Sequence, residues 1–363
     1  MLHYYIAYGL MLLAALWFSR SSKGTSRQKA RNYCIFFFIL WTLLLGLRHP
    51  SMGVDIGYYI SNGYWRNYIR IGQFSLKEAF TRHVLNYEQG YIVFNKLLNF
   101  ICDDPQFLLF ICAGICIGAV SVWMGQNHNF VFVSSILCLG LPFFLLFFSG
   151  LRQALAISII LFSFPFIKQK KLLPFLLMML LARTFHHTST VFVLAYPLYH
   201  LKTNKSVSAL TVLLPPVVYL LRSPLFVLLS KLLKDNAVPD SNNAITLFLV
   251  FWAVYSFAVL FGHNEDQEEL GLRNIFLVAC CCQAFGGVYN TAMRVGYYFM
   301  PALVILLPKI IANNAPSKSY SSADRRSSFI MYLAIFICFS VFGLYSFANS
   351  SWAMTNPHTF FWQ

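Results

Sequence analysis

The chain has 363 residues, of which 58% are hydrophobic and only 11% are charged. In soluble globular domains about a quarter of all residues are charged, so this composition excludes a soluble globule. The formal net charge of +15 does not indicate a nucleic-acid partner, because the basic residues are scattered at the ends of apolar segments instead of forming one basic face.

Apolar runs of about 15 to 20 residues recur along the chain, and each is long enough to cross the roughly 30 Å hydrocarbon layer of a bilayer. They predict an all-α, polytopic integral membrane protein in which residues 1–363 form a single transmembrane domain. About twelve spans are expected, near residues 2–18, 33–47, 106–124, 130–148, 151–167, 172–183, 186–201, 207–221, 244–262, 274–290, 295–311 and 329–347. Prolines are expected to kink or break helices at Pro142, Pro165, Pro174 and Pro301.

The basic residues predict which ends of the spans face the cytoplasm, because cytoplasmic loops carry an excess of lysine and arginine. The loop at 19–32 contains five basic residues and no acidic one. Later basic residues fall on the same predicted side: Lys168, Lys170, Lys171, Lys202, Lys205, Lys309, Lys318, Arg325 and Arg326. Both termini are therefore expected outside, and the acidic loop at 263–273 is expected in the cytoplasm.

Two segments on the predicted external face are too polar to span the membrane. The long loop 48–105 combines acidic residues with many tyrosines, and the second external loop, 222–243, contains a short apolar run with charged neighbours. Short helices lying at the membrane interface fit both compositions.

Four arginines lie at the external ends of predicted spans: Arg48, Arg152, Arg183 and Arg294. The positive-inside bias disfavours cations on this face, and an unpartnered charge at membrane depth costs a few kcal/mol. A guanidinium group binds phosphate oxygens in pairs and remains charged in a low-dielectric site. The arginines therefore predict a bound anion such as a lipid-linked diphosphate. Ion pairing with Asp55 and Glu88, or snorkelling to the interface, is the structural alternative.

Three residues on the same face are candidates for a general base: His186, Glu88 and Asp55. A histidine beside arginines is expected to stay neutral near pH 7 and to accept a proton from a sugar hydroxyl. His187 directly follows His186, and a histidine at a helix end is more often a hydrogen-bonded packing residue than a general base. Tyrosines flank Glu88 and could stack on sugars or belong to an interfacial aromatic belt. The sequence does not rank the three candidates.

Five short motifs follow one another along the chain: Arg48-x4-Gly53-x-Asp55-x2-Tyr58, Tyr87-Glu88-x-Gly90-Tyr91, Arg152-Gln153-Ala154-Leu155-Ala156, Phe185-His186-x-Thr188-Ser189 and Arg294-x3-Tyr298. In this order, and on one predicted membrane face, they resemble the EpsG family. That family is similar to the Wzy-type polymerases of O-antigen, capsule and exopolysaccharide. The likeness extends over about residues 33–311.

The resemblance implies a GT-C-like glycosyltransferase that polymerises oligosaccharide repeat units carried on undecaprenyl diphosphate. It implies an active site at the external face of the bacterial plasma membrane, with no metal or other cofactor, and leaves room for a chain-length regulator as a further partner. In such an enzyme Arg152 and Arg294 would bind the donor diphosphate, and Arg48 or Arg183 the second lipid diphosphate. The residues assigned to sugar contacts are Tyr58, Tyr87, Tyr91, Gln153 and Tyr298.

Two other functions share these residues. A transporter or flippase for a lipid-linked or anionic solute would also use arginines, but along a path open to both faces of the membrane. An O-antigen ligase would differ from a polymerase only in its acceptor. The crowding of the charged candidates on one predicted face favours an enzyme.

Overall fold

The computed structural model of the protein describes residues 1–20, 24–57, 63–81, 85–233, 245–314 and 322–363. These residues are predominantly helical and contain no β-strand; one isolated antiparallel bridge pairs Arg48 with Phe360. The prediction of an all-α membrane protein is confirmed by this architecture together with the apolar helices described below.

The α-helices are, in chain order, α1 (Leu2–Arg20), α2 (Ser26–Gly46), α3 (Tyr64–Gly72), α4 (Leu76–Thr81), α5 (Gln89–Asn99), α6 (Pro105–Gly125), α7 (Val131–Gly140), α8 (Pro142–Leu145), α9 (Leu151–Lys168), α10 (Leu172–Phe185), α11 (Ala195–His200), α12 (Lys205–Thr211), α13 (Leu214–Leu220), α14 (Arg222–Leu233), α15 (Ile245–Phe261), α16 (Gln267–Gln283), α17 (Asn290–Val295), α18 (Ala302–Asn314) and α19 (Ser322–Asn349). Short 3-10 helices cover Val54–Ile56, His187–Leu194 and Gly296–Tyr298.

Five described helices are long and apolar enough to cross a membrane: Leu2–Arg20, Ser26–Gly46, Pro105–Gly125, Leu151–Lys168 and Ile330–Asn349. Two pairs of consecutive helices, each bent at a short break, raise the number of candidate spans to seven if each pair counts as one span. Lys205–Leu220 with Arg222–Lys231 bends by 73°, and Asn290–Tyr298 with Ala302–Asn314 bends by 56°. Three shorter apolar helices are α7, α10 and α15. The expected number of about twelve spans is therefore not reached.

Helix breaks explain much of this difference. Pro142 follows the end of α7 and begins the four-residue α8, so the predicted span 130–148 is divided. The predicted span 186–201 is a 3-10 helix followed by the six-residue α11. Pro301 lies at the bend before α18, whereas Pro165 lies inside α9 without ending it.

Both loops predicted on the external face contain helices. The loop 48–105 carries α3, α4 and α5, and α14 begins the loop 222–243 at Arg222, with the remainder of that loop beyond Leu233 outside the described residues. On α3, the buried residues Tyr64, Asn67, Tyr68 and Ile71 follow the i, i+3, i+4, i+7 spacing of one helix face.

The chain forms two compact units. The first contains Met1–Pro165, Leu173–Thr190 and Leu333–Gln363, and the second contains Phe166–Leu172 and Val191–Tyr332.

In the first unit, the two ends of the chain lie together. The ring of Tyr4 on α1 stacks on Phe347 of α19 with centroids 4.7 Å apart, and its hydroxyl donates to the Thr355 carbonyl at 2.9 Å. The segment after α19 returns to the end of α2, where the His49 amide donates to the Thr359 carbonyl at 2.8 Å. This return buries the residues that follow α2.

In the second unit, the acidic loop is neutralised by lysines. Asp266 caps α16 by accepting from the amides of Glu268 and Glu269 at 2.9 and 3.1 Å. Lys309 pairs with Asp266 at 3.0 Å and with Glu268 at 2.7 Å, and Lys168 also pairs with Glu268. These lysines and the acidic loop were predicted on the same side of the membrane, and their ion pairs agree with that prediction.

Candidate active site

A close helix contact in the first unit brings the site together. A Cβ atom on Gly90 would lie 2.2 Å from the hydroxyl oxygen of Thr184 and 2.8 Å from its carbonyl oxygen. Only glycine therefore lets the start of α5 approach the end of α10 this closely. Glu88 immediately precedes α5 and His186 immediately follows α10, so this contact places the two side chains together.

The Glu88 carboxylate is the centre of the site. Its Oε2 accepts a hydrogen bond from Arg152 Nη1 at 2.5 Å. Its Oε1 lies 3.1 Å from the Nδ1 atoms of both His186 and His187, and it also accepts from the His187 amide at 3.1 Å. The Glu88 side chain is only 13% exposed and that of His186 20%, whereas His187 is 70% exposed. The Glu88 carboxylate therefore links the start of α5, the start of α9 and the end of α10. We refer to Glu88, Arg152, His186 and His187 as the Glu88 cluster.

Arg152 contacts two tyrosines as well as Glu88. Its Nε donates to the Tyr64 hydroxyl at 3.2 Å, and its guanidinium carbon lies 4.7 Å from the centre of the Tyr87 ring. Asn67 donates to the Tyr87 hydroxyl at 2.8 Å and holds that ring. These contacts orient the guanidinium group while its Nη2 makes no hydrogen bond with a described residue.

Three tyrosines form an aromatic wall beside Arg152. The rings of Tyr64, Tyr87 and Tyr91 lie with centroids 5.5 to 5.6 Å apart in each pair. Their interplanar angles of 45° to 82° are those of tilted and edge-to-face contacts. Aromatic faces of this kind suit the apolar faces of sugar rings, but Tyr64 and Tyr91 are buried, so Tyr87 is the partly exposed ring of the three.

The electrostatics of the cluster fix its protonation states. Burial by itself raises the pKa of the Glu88 carboxyl, but the hydrogen bond from His186 and the charge of Arg152 outweigh it and hold the pKa well below its usual range. Burial lowers the pKa of His186 from 6.5, against the opposing effect of Glu88. Burial also raises the pKa of Tyr64, so the phenol keeps its proton.

These protonation states determine what His186 can do. An ionised carboxylate can only accept hydrogen bonds, so the Nδ1 atom of His186 carries the hydrogen that Glu88 accepts. In the neutral imidazole, the lone pair is then on Nε2. A carboxylate that fixes the tautomer of a histidine, which then accepts a proton from a hydroxyl, is the arrangement of a general base and its orienting group.

Glu88, His186 and His187 could also hold a metal ion, because one ligand atom from each lies within 4.8 Å of the others. Two histidines and a glutamate are a ligand set that zinc accepts. Arg152 lies 2.5 Å from the same carboxylate, and its positive charge opposes a divalent cation there. The ion pair with Arg152 therefore competes directly with metal binding.

Asp55, the third predicted base, lies near this cluster but outside its hydrogen bonds. Its amide donates to the Ser149 hydroxyl at 3.1 Å, and its Oδ2 would lie 3.9 Å from a Cβ atom on Gly150, two residues before Arg152. Its charge contributes to raising the pKa of Tyr64. Asp55 is half-buried, and its carboxylate accepts no hydrogen bond from the described part of the chain.

The predicted diphosphate ligands Arg48 and Arg183 have different surroundings. Arg48 is fully buried, donates to the carbonyls of Leu45 and Phe148, and has its pKa lowered to about 10 by burial. The structure does not bring it into the hydrogen bonds around Glu88, because its guanidinium donates to these two carbonyls instead. Arg183 is exposed and donates to the Thr190 hydroxyl at 3.3 Å, one turn before His186.

The remaining predicted residues belong to the second unit, to the interior of the first unit, or to the part of the chain outside the described residues. Arg294 and Tyr298 belong to the second unit, where Arg294 is exposed on α17 and Tyr298 is fully buried. Gln153 is 5% exposed and faces the interior. Tyr58 lies outside the described residues.

Sequence reasoning missed Tyr64 and Asn67, which hold Arg152 and Tyr87. The amphipathic spacing of α3 could have found them, since both lie on its buried face and polar groups on such a face need partners. No short motif marks either residue.

Replacing Gly90 with alanine is expected to lower activity by about tenfold or more, because the added methyl group forces α5 away from Thr184 and separates Glu88 from His186. Gly114→Ala is the matched control, since a Cβ there meets only Thr42 at 3.9 Å. The activity of the two variants, measured at equal protein amounts, checks this. Equal activity would contradict the role given to the contact.

Neither the curated proteins nor the solved structures include a match to the chain. The family model described as the EpsG family matches residues 31–359. This match includes Glu88, Arg152 and His186 together with the surrounding helices, and it confirms the resemblance seen in the five motifs. Because it covers nearly all of the 363 residues, the chain belongs to the EpsG family.

Proposed function

We propose that the protein is a membrane glycosyltransferase that polymerises oligosaccharide repeat units carried on a lipid diphosphate. Membership of the EpsG family supports a role in polysaccharide biosynthesis at a membrane. The observation that carries the proposal is the shared contact of the Glu88 carboxylate with Arg152 and His186 beside three tyrosines. Glycosyl transfer from a diphosphate uses a cation that stabilises the leaving group and a base that accepts the proton of the attacking hydroxyl, and Arg152 and His186 supply these two groups.

On the donor side, the bond between the anomeric carbon and the diphosphate oxygen breaks, and negative charge grows on the leaving oxygen. Arg152 would stabilise that charge through the guanidinium hydrogens that Glu88 and Tyr64 leave unused. Its side chain is 23% exposed, which leaves room for a ligand to approach.

On the acceptor side, a sugar hydroxyl of the second repeat unit attacks the anomeric carbon from the face opposite the diphosphate. Its proton passes to Nε2 of His186, and the new glycosidic bond forms with inversion. Glu88 holds the other nitrogen and stabilises the imidazolium ion that results. The products are one lengthened lipid-linked glycan and one free lipid diphosphate.

The lipid, the fold type and the side of the membrane on which the reaction occurs are proposed from the resemblance to the EpsG family. The lipid is undecaprenyl, the fold is of the GT-C type, and the site faces the exterior of a bacterial plasma membrane, which agrees with the basic loop at 19–32 at the other end of α2. Arg183 is the proposed ligand of the second diphosphate. Arg48 is left out because its guanidinium is buried against carbonyl groups.

Purified protein incubated with lipid-diphosphate-linked repeat units tests the proposal. The expected product is a ladder of longer glycolipids. Transfer of the glycan to an added acceptor that carries no lipid diphosphate, without a ladder, would indicate a ligase. Saturable binding without any new bond would indicate transport. Either result would contradict a polymerase.

Chelation of divalent metals is expected to leave the rate of this reaction unchanged within about twofold, because Arg152 supplies the positive charge beside Glu88. The measurement compares the ladder in EDTA with that in added magnesium, manganese or zinc. Loss of product in EDTA and recovery with one metal would overturn metal independence and would assign Glu88, His186 and His187 as ligands.

A further inference from the structure

An open groove of about 440 Å³ lies between α2 and α6 in the first unit. Its apolar lining includes Ile35, Phe38 and Val122, and Ile35 and Val122 are 50% and 58% exposed. Gly118 forms part of the floor, where a Cβ atom would meet only the Phe38 ring, at 3.5 Å. The absent side chain leaves a slot between the two helices.

The groove contains a polar group without a partner. Ser121 lines it, is only 7% exposed, and its hydroxyl makes no hydrogen bond with the described residues. A buried hydroxyl that is left unsatisfied is unfavourable, and most buried polar atoms in folded proteins have a partner. Because Ser121 lines the groove, rotation of its side chain about χ1 would present the hydroxyl to a ligand oxygen there.

Two arginines stand at one end of the groove. Arg27 and Arg31 are four residues apart on α2, so they lie on one face of the helix. Both are exposed, and within the described part of the chain neither has a hydrogen-bond or ion-pair partner. Arg20 lies before α2 and Lys29 lies between the two arginines, and the segment 19–32 contains no acid, so the local charge is strongly positive.

This end of α2 is remote from the proposed active site. Arg48, just beyond the other end of α2, donates to Phe148, next to the segment that leads into Arg152. The 21 residues of α2 extend about 30 Å at 1.5 Å per residue. The groove therefore opens toward the opposite leaflet from the Glu88 cluster.

We infer that this groove binds an anionic phospholipid of the leaflet at the N-terminal end of α2. The phosphate lies between Arg27 and Arg31, a glycerol or ester oxygen accepts from the Ser121 hydroxyl, and an acyl chain lies over Gly118 against Phe38 and Val122. Two cations above an apolar slot match the amphipathic structure of a phospholipid, and basic pockets between transmembrane helices favour anionic head groups. A soluble anion would leave the apolar part of the groove unfilled.

The test uses the full chain in detergent micelles, titrated with dioleoyl phosphatidylglycerol or with dioleoyl phosphatidylcholine, and counts bound lipids by native mass spectrometry. We expect one phosphatidylglycerol site that phosphatidylcholine fills at least about tenfold more weakly. The double variant Arg27→Gln/Arg31→Gln should weaken phosphatidylglycerol binding by about tenfold or more. Arg20→Gln/Lys29→Gln removes the same net charge from the same region and should leave it within about twofold.

Two further variants test the apolar and hydroxyl contacts while keeping both arginines. Gly118→Leu fills the slot and should weaken phosphatidylglycerol binding by about tenfold, whereas Gly114→Leu, one turn away and outside the groove, should not. Ser121→Ala should weaken it by about threefold. Equal binding of the two lipids, or equal loss in the arginine variant and its charge-matched control, would overturn the proposal. Binding of inorganic phosphate that Gly118→Leu leaves unchanged would show an anion site without a lipid and would also overturn it.

Discussion

Replacing Arg152 with alanine is expected to lower the rate of glycan lengthening by about 100-fold or more. Removing one well-placed group that stabilises charge in a dry site costs about 3 to 4 kcal/mol of barrier, which corresponds to that factor. The variant also leaves Glu88, which is 13% exposed, without its cation. The rate is measured as lengthened glycolipid formed by purified protein.

Two controls separate the specific role of Arg152 from loss of charge. Arg66→Ala removes a cation from the exposed face of α3, away from Tyr64 and Asn67, and should retain activity within about twofold. Arg152→Lys keeps the charge but loses the fork that contacts Glu88 and Tyr64 together, and an intermediate rate is expected. A wild-type rate in a folded Arg152→Ala variant would contradict its assignment to the donor diphosphate.

Loss of the His186 imidazole is expected to lower the rate by about 100-fold to 10,000-fold, the usual contribution of a general base. His187→Ala is the matched control. Its side chain is 70% exposed, and although its Nδ1 also lies 3.1 Å from Glu88, we expect a loss of less than about tenfold. If the His186→Ala variant still forms the ladder of longer glycolipids, the general base is reassigned to Asp55. Its carboxylate lies nearby and accepts no hydrogen bond from the described residues.

The dependence of the rate on pH follows from the pairing of His186 with Glu88. The neutral form of His186 is the active one, so the rate falls as pH decreases through its pKa, which burial places below 6.5. Glu88 raises this pKa, so Glu88→Gln should move the acid limb of the profile to lower pH and lower the plateau as well. An acid limb that does not move in Glu88→Gln would indicate that another group titrates.

The residues that meet at the Glu88 carboxylate could be singled out from the sequence, but their contact could not. Glu88, Arg152 and His186 were each singled out by residue type and by position on one predicted face. Their direct contact could not be predicted, because Arg152 and His186 are 64 and 98 residues from Glu88 along the chain. The roles therefore remained open between three possible bases, whereas the structure favours a histidine oriented by a glutamate.

The burial of Arg48 was also beyond local sequence reasoning. Its guanidinium donates to Phe148, 100 residues later, and its backbone pairs with Phe360, more than 300 residues later. The expected number of about twelve spans is not confirmed, for a related reason. Hydropathy detects apolar runs such as 130–148 and 186–201 but does not show that the chain breaks within them into short helices.

The central claim, glycosyl transfer at the Glu88 cluster, is tested most directly by counting both products of one reaction. Wild-type protein is given lipid-diphosphate-linked repeat units, and mass spectrometry measures the lengthened glycolipid and the free lipid diphosphate in the same sample. We expect one lipid diphosphate for each new glycosidic bond, with both products lost together in His186→Ala and in Arg152→Ala. Lengthened glycan without released lipid diphosphate, or full activity of both variants, would contradict it.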